Sequence, residues 1–84
     1  MMRVITNFGQ SFENLEIKEG VKVKDLLLDL GKLIHYEIVH NDEIDSNVEV
    51  LLNGKNIDFM PKRLDEELTD KDTLEIYLTP LGGG

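Results

Sequence analysis

The residues with the plainest chemical purpose close the sequence, in "LTPLGGG". Gly82, Gly83 and Gly84 carry no side chain, and glycine has the most backbone freedom to lose on ordering. Such a run is expected to stay unpacked, either as a frayed end or as a tail that another molecule must grip. Its one functional group is the Gly84 carboxylate. A carboxylate is a poor electrophile. To accept sulfur or an amine it must first be activated, for instance as an acyl-adenylate made from ATP. Activation requires the tail to enter another protein's nucleotide site, and backbone without Cβ suits a narrow channel.

The other candidate constellations point to less. His35 and His40 stand near Asp42, Glu43 and Asp45, all metal-binding residue types, but the spacing fits no ligand motif. That segment is acidic and is expected to be a solvated loop holding no metal. "LDEEL" (64–68) and "DKD" (70–72) offer paired carboxylates, yet nothing marks a buried cleft that would raise one pKa for acid–base work. Asn53-Gly54 reads as a turn rather than a phosphate loop. No G-x-G-x-x-G, Walker-type or H-E-x-x-H pattern occurs. The chain has no cysteine, which removes disulfides, thiolate metal sites and a cysteine nucleophile and suits a reducing cytoplasm.

With 84 residues the sequence makes one small domain, 40% apolar and 31% charged. A chain this size buries only roughly 60–65% of its unfolded surface, so its core is thin. Seventeen Asp and Glu against nine Lys and Arg give a net charge of −8. Nucleic acid is an unlikely ligand for such a chain, because its binding rests on Lys and Arg contacts to phosphates. The acidity serves either solubility alone or attraction to a basic surface on a partner protein, where charge raises the encounter rate. No apolar run approaches the ~20 residues of a membrane span, and "MMRVITNFGQ" shows no signal-peptide pattern.

These residues need elements to position them. Residues 2–8 and 12–17 read as two strands of a hairpin around a turn at 9–11, with Leu15 and Ile17 facing inward. In residues 21–34 the period changes. Val23, Leu26, Leu27, Leu30 and Leu33 or Ile34 recur at helical spacing, and Gly31 is either a late helix position or the cap. Residues 35–47 are open between a helix extension, a short strand and a loop. Residues 48–53 form a strand, Asn53-Gly54 supplies a turn with positive φ, and residues 55–57 a short strand. Residues 58–72 are a polar connection anchored by Leu64 and Leu68, and Pro61 argues against a continuous helix there. Residues 73–79 form the last strand, with Leu74, Ile76 and Leu78 on one face and Glu75 and Tyr77 on the other. The order suits an α+β fold, a mixed sheet of four to five strands wrapped over one helix. The domain spans residues 1–79 and the tail residues 80–84.

"GVKVKDLL", "VLLNGKNI" and "DKDTLEIYLTPLGGG" together resemble the β-grasp fold of the ubiquitin-like superfamily along almost the whole chain. "LLNGK" is similar to the sulfur carriers: the molybdopterin synthase small subunit, the thiazole-pathway carrier and the ubiquitin-related modifiers. Those families usually end in two glycines, so the functional pair is assigned to Gly83 and Gly84. The resemblance implies a carrier that is itself no enzyme and binds no cofactor. A partner adenylating enzyme would use ATP and Mg to activate Gly84. A sulfur donor would convert the adenylate to a thiocarboxylate. A sulfur-acceptor enzyme, such as a molybdopterin synthase large subunit or thiazole synthase, would receive the sulfur for a molybdopterin-type cofactor, thiamine or tRNA thiolation. The alternatives are a modifier joined to target lysines through Gly84 and an interaction domain that is never activated.

Partners must also read the folded surface. Val48, Val50 and Leu52 are expected to share the core face with Leu74, Ile76 and Leu78. Leu51 and Tyr77 then fall on the opposite, solvent face of neighbouring strands, close to Leu81 and the tail. They form a candidate docking patch, tyrosine being favoured at interface centres.

Overall fold

The computed structural model describes residues 1–9 and 11–79. The glycine tail and Leu81 lie outside the described residues. Side-chain alternation decides the strands. In β1 (Met2–Thr6) Met2 and Val4 are buried and Arg3 is exposed. β2 (Phe12–Leu15) pairs antiparallel with it. This strand ends two residues before the expected boundary, and Leu15 and Ile17 both pack half-buried against the core.

Helix α1 (Val23–Ile34) buries Val23, Leu27 and Leu30. It begins two residues later than its apolar period suggests because residues 21–22 are engaged elsewhere. Leu68 N donates to Val21 O at 2.8 Å and Val23 N to Glu66 O at 2.9 Å. Lys22 is thereby extended (φ −102°, ψ 161°) and bridged to Glu67. Asp25 accepts from Lys22 N at 3.0 Å, which satisfies a donor at the helix start. Gly31 lies inside the helix. His35 then turns left-handed (φ 57°), and the His35 and Tyr36 amides both donate to Gly31 O. A Cβ on Gly31 would stand 2.7 Å from Tyr36 O, so any side chain there must push the returning backbone aside. Of the two alternatives at the helix end, Ile34 packs on the core and Leu33 is exposed.

Of the three alternatives for residues 35–47, the short strand is the one found, twice over. β3 (Val39–His40) and β4 (Glu43–Ile44) make a small hairpin. Asn41 and Asp42 turn it with φ of 54° and 58°, the two positive values of a type I′ turn. Ile38 and Val39 root the hairpin in the core at 2% and 8% exposure. The acidic composition concealed this apolar pair.

β5 (Val48–Leu52) and β6 (Lys55–Asn56) pair across the expected turn, where Asn53 and Gly54 have φ of 52° and 85°. Ile57 leaves the strand, buried, and begins a 3-10 turn (Ile57–Phe59); a second turn follows (Arg63–Asp65). Leu64 and Leu68 are buried, so the polar connection is pinned where expected. β7 (Thr73–Leu78) completes the sheet in the order β2-β1-β7-β5-β6. The β1–β7 pair is parallel and the others antiparallel. Met2, Val4, Val50, Leu52, Leu74 and Ile76 form one buried cluster with Val23, Leu27 and Leu30 of α1. Val48 and Leu78, expected in the core, pair with each other near the sheet's end and are half-buried.

Helix propensity alone makes Gly31→Ala stabilising by about 1 kcal/mol. The contact with the Tyr36 carbonyl reverses the sign, to a loss of about 1–3 kcal/mol by urea unfolding. A gain in stability would show that the backbone return at residue 36 is not rigid.

Candidate functional site: the outer sheet face and the end of β7

β7 is the central strand, and each of its ends is held by an asparagine. At its start, Asn53 N donates to Thr73 O (2.8 Å), Asn53 Oδ1 accepts from Thr73 N (2.9 Å), and Asn53 Nδ2 donates to Asp72 Oδ1 (2.9 Å). At its end, Asn7 Oδ1 accepts from Leu78 N at 2.8 Å and Asn7 Nδ2 donates to Leu78 O at 3.1 Å. On the other side Thr79 N donates to Asn47 O at 2.7 Å. The last described residues before the tail are thus fixed from both flanks. Asn7 was missed in the sequence, because a side-chain bond spanning 71 residues leaves no local pattern.

The sheet face turned away from α1 carries Leu51 and Tyr77, as alternation predicts. Both are half-buried rather than solvent-exposed. Leu51 sits across from Glu75, and Tyr77 across from Glu49. The Tyr77 hydroxyl donates to the Glu75 carboxylate, which lies two residues away on the same face. That bond holds the Tyr77 pKa above its ordinary value. Ile5, opposite Glu75 on the β1 side, completes a row Ile5–Glu75–Leu51. The sequence reading left Ile5 out; its alternation with buried Val4 is the signal that finds it. The face is therefore mixed, with the Glu75 carboxylate between Ile5 and Leu51 and Glu49 beside Tyr77.

The remaining candidates have structural roles. His35 caps α1. His40 Nε2 stands 3.0 Å from Asp45 Oδ1, and a carboxylate there can only accept. Asp45 Oδ2 also accepts from the Tyr36 hydroxyl at 2.7 Å and from Asn47 N at 3.1 Å. These bonds, Tyr36 first, lower the Asp45 pKa from 3.8 to about 2, and the bond to Asp45 raises that of His40. Among the described residues no group of His, Cys, Asp and Glu is arranged to hold a metal. Asp65 pairs with Lys24 at 3.0 Å, Glu66 accepts from Lys62 N, and Asp72 from Thr69 N. Glu66 and Asp72 thus serve turns, and Asp65 ties the connection to α1. No helix among the described residues is long and apolar enough to cross a membrane.

The model of the ThiS family matches residues 5–84, nearly the whole chain and the glycine tail with it. The chain belongs to the ThiS family. It is thus a ubiquitin-like β-grasp protein of the sulfur-carrier group. No curated sequence matches it significantly. Solved structures share the ThiS-family fold at low identity. A chain of the Amycolatopsis orientalis BexX/CysO complex superposes with TM-score 0.69 at 23% identity, covering 99% of this chain and all (100%) of that one. The Haloferax volcanii HVO 2177 protein gives 0.68 at 18%, covering 99% and 85%. Sulfolobus solfataricus Urm1 gives 0.62 at 21%, covering 90% and 97%.

The Asp45 side chain ties Tyr36, His40 of the β3–β4 hairpin and the Asn47 backbone together, and its pH dependence has two limbs. Asp45 is depressed, so its contribution is present above 3.8 and is lost as pH falls through about 2. His40 is raised, so its contribution is full below 6.5 and fades as pH climbs through its folded value. His40→Ala is expected to flatten the alkaline limb of the urea midpoint against pH. An unchanged limb would mean that His40 and Asp45 do not pair in solution.

Proposed function

We propose that the chain is a sulfur carrier working through its C-terminus. The Gly84 carboxylate attacks the α-phosphate of ATP in a partner adenylating enzyme that supplies Mg, and pyrophosphate leaves. Hydrosulfide then attacks the carbonyl, AMP leaves, and loss of the proton gives a C-terminal thiocarboxylate. The thiocarboxylate delivers its sulfur inside a second partner, such as a molybdopterin synthase large subunit or thiazole synthase. The carrier is a co-substrate in both steps and contributes no catalytic group of its own. Gly82 and Gly83 would thread the channel, and Leu51, Tyr77 and Leu81 would meet the partner.

The observation that carries this reading is that the family match runs through Gly84, directly beyond a central strand whose last residues are fixed. The placing of Ile5, Leu51 and Tyr77 on the outer face supports it, since a partner that docks there lies beside the tail's point of departure. Glu75 between Ile5 and Leu51, and Glu49 beside Tyr77, favour a partner that brings basic groups to this face.

The test is ATP–pyrophosphate exchange catalysed by the cognate adenylating enzyme. Deleting Gly83 and Gly84 is expected to abolish exchange with little change in melting temperature, because the buried core is built from residues 2–76. Tyr77→Ala is expected to weaken binding by about 1–2 kcal/mol with a small stability cost. Ile76→Ala, on the same strand but fully buried, is expected to lose about 2–5 kcal/mol of stability through a core cavity. Exchange that survives the deletion would refute the role of Gly84. Wild-type binding by Tyr77→Ala would remove the docking face.

A further inference from the structure

The Asn7 amide does for the end of β7 what a neighbouring strand does elsewhere. The β1–β7 ladder runs as far as Thr6 opposite Ile76. Beyond it Asn7 is exposed and past the end of β1, yet its side chain both accepts from and donates to the backbone of Leu78. This reciprocal pair extends the pairing by one step where no further strand residue is available. With Thr79 N bound to Asn47 O on the opposite flank, the backbone of residues 78 and 79 is held on two sides. Neither bond closes a turn or caps a helix. Both act on the residues at which the chain leaves the sheet.

We infer that Asn7 is a positioning residue for C-terminal activation. It fixes the direction in which the chain leaves the sheet at Leu78 and Thr79, and so where the terminal carboxylate is delivered once a partner has docked on the outer face. This role rests on the carrier reading above. The Asn7 amide is engaged with the Leu78 backbone, so its loss should spare binding of the folded domain and reduce the fraction of docked complexes that react. Freeing one ordered residue's backbone corresponds to roughly a five- to thirtyfold loss in that fraction.

The test is ATP–pyrophosphate exchange with the cognate adenylating enzyme, with kcat and KM for the carrier measured separately. Asn7→Ala is expected to lower kcat about tenfold and change KM less than about twofold. Leu78 and Thr79 amides should lose hydrogen-exchange protection in the same variant. Asn7→Asp keeps the acceptor and lacks the donor, and should fall between. Asn53→Gly removes the matching clamp at the start of β7 and tolerates the positive φ there. It should lower stability while leaving kcat unchanged, which separates positioning from general loosening of the strand. Wild-type kcat in Asn7→Ala overturns the inference while leaving the carrier reading intact. A raised KM at unchanged kcat also overturns it, because Asn7 would then be a contact residue. A wild-type chain that supports no exchange overturns the carrier reading and this role together.

Discussion

The parallel pairing of β1 with β7 is the constraint on which the rest of the structure depends. It joins the first strand to the last, and such a pair cannot be closed by a short hairpin. Between them the chain adds β2 beside β1, crosses one face of the sheet, and adds β5 and β6 beside β7 before it returns. α1 covers that face, and Leu64 and Leu68 pin the long return to it. Val4 meets Leu74 across this pair, and Ile76 meets Val50 across the next, so the pairing also lays out the core. A small domain has little buried surface to spare. Placing the fully buried Leu74 and Ile76 on the central strand concentrates what it has.

The same constraint links the fold to the proposed chemistry. A strand paired on both sides has no freedom of its own, and its two ends are tied by Asn53 and Asn7. The tail therefore begins from a fixed point beside the face that carries Ile5, Leu51 and Tyr77. In the proposed reading docking belongs to the outer face and delivery to the strand's end, whose backbone is held up to Thr79. The inner face is given wholly to packing, and no polar or charged residue among those described is buried.

The parts legible in the sequence are those with a local signal. Helical spacing found α1, alternation found the faces of β5 and β7, and Asn53-Gly54 announced its turn by residue type. The failures came where distant contacts prevail over local ones. Residues 21–22 look helical and are extended, because residues 66–68 compete for their backbone. The β3–β4 hairpin was obscured because its turn is Asn41-Asp42, without glycine, and its buried pair Ile38 and Val39 sits among acids. Asn7 could not be found at all, since its partner is at the other end of the chain. Leu51 and Tyr77 were placed on the right face but proved half-buried, as the strands and carboxylates beside them cover part of each.

The central claim is that Gly84 is the atom-carrying end of a sulfur carrier. Intact-mass measurement after incubation with the cognate adenylating enzyme, ATP and a sulfur source tests it most directly. The account predicts a mass gain equal to the exchange of one oxygen for one sulfur, located in the C-terminal peptide. Higher-mass adducts through lysines of other proteins, in place of that gain, would mean a protein modifier. An unchanged mass, with enzyme and sulfur source shown to be active, would contradict the account.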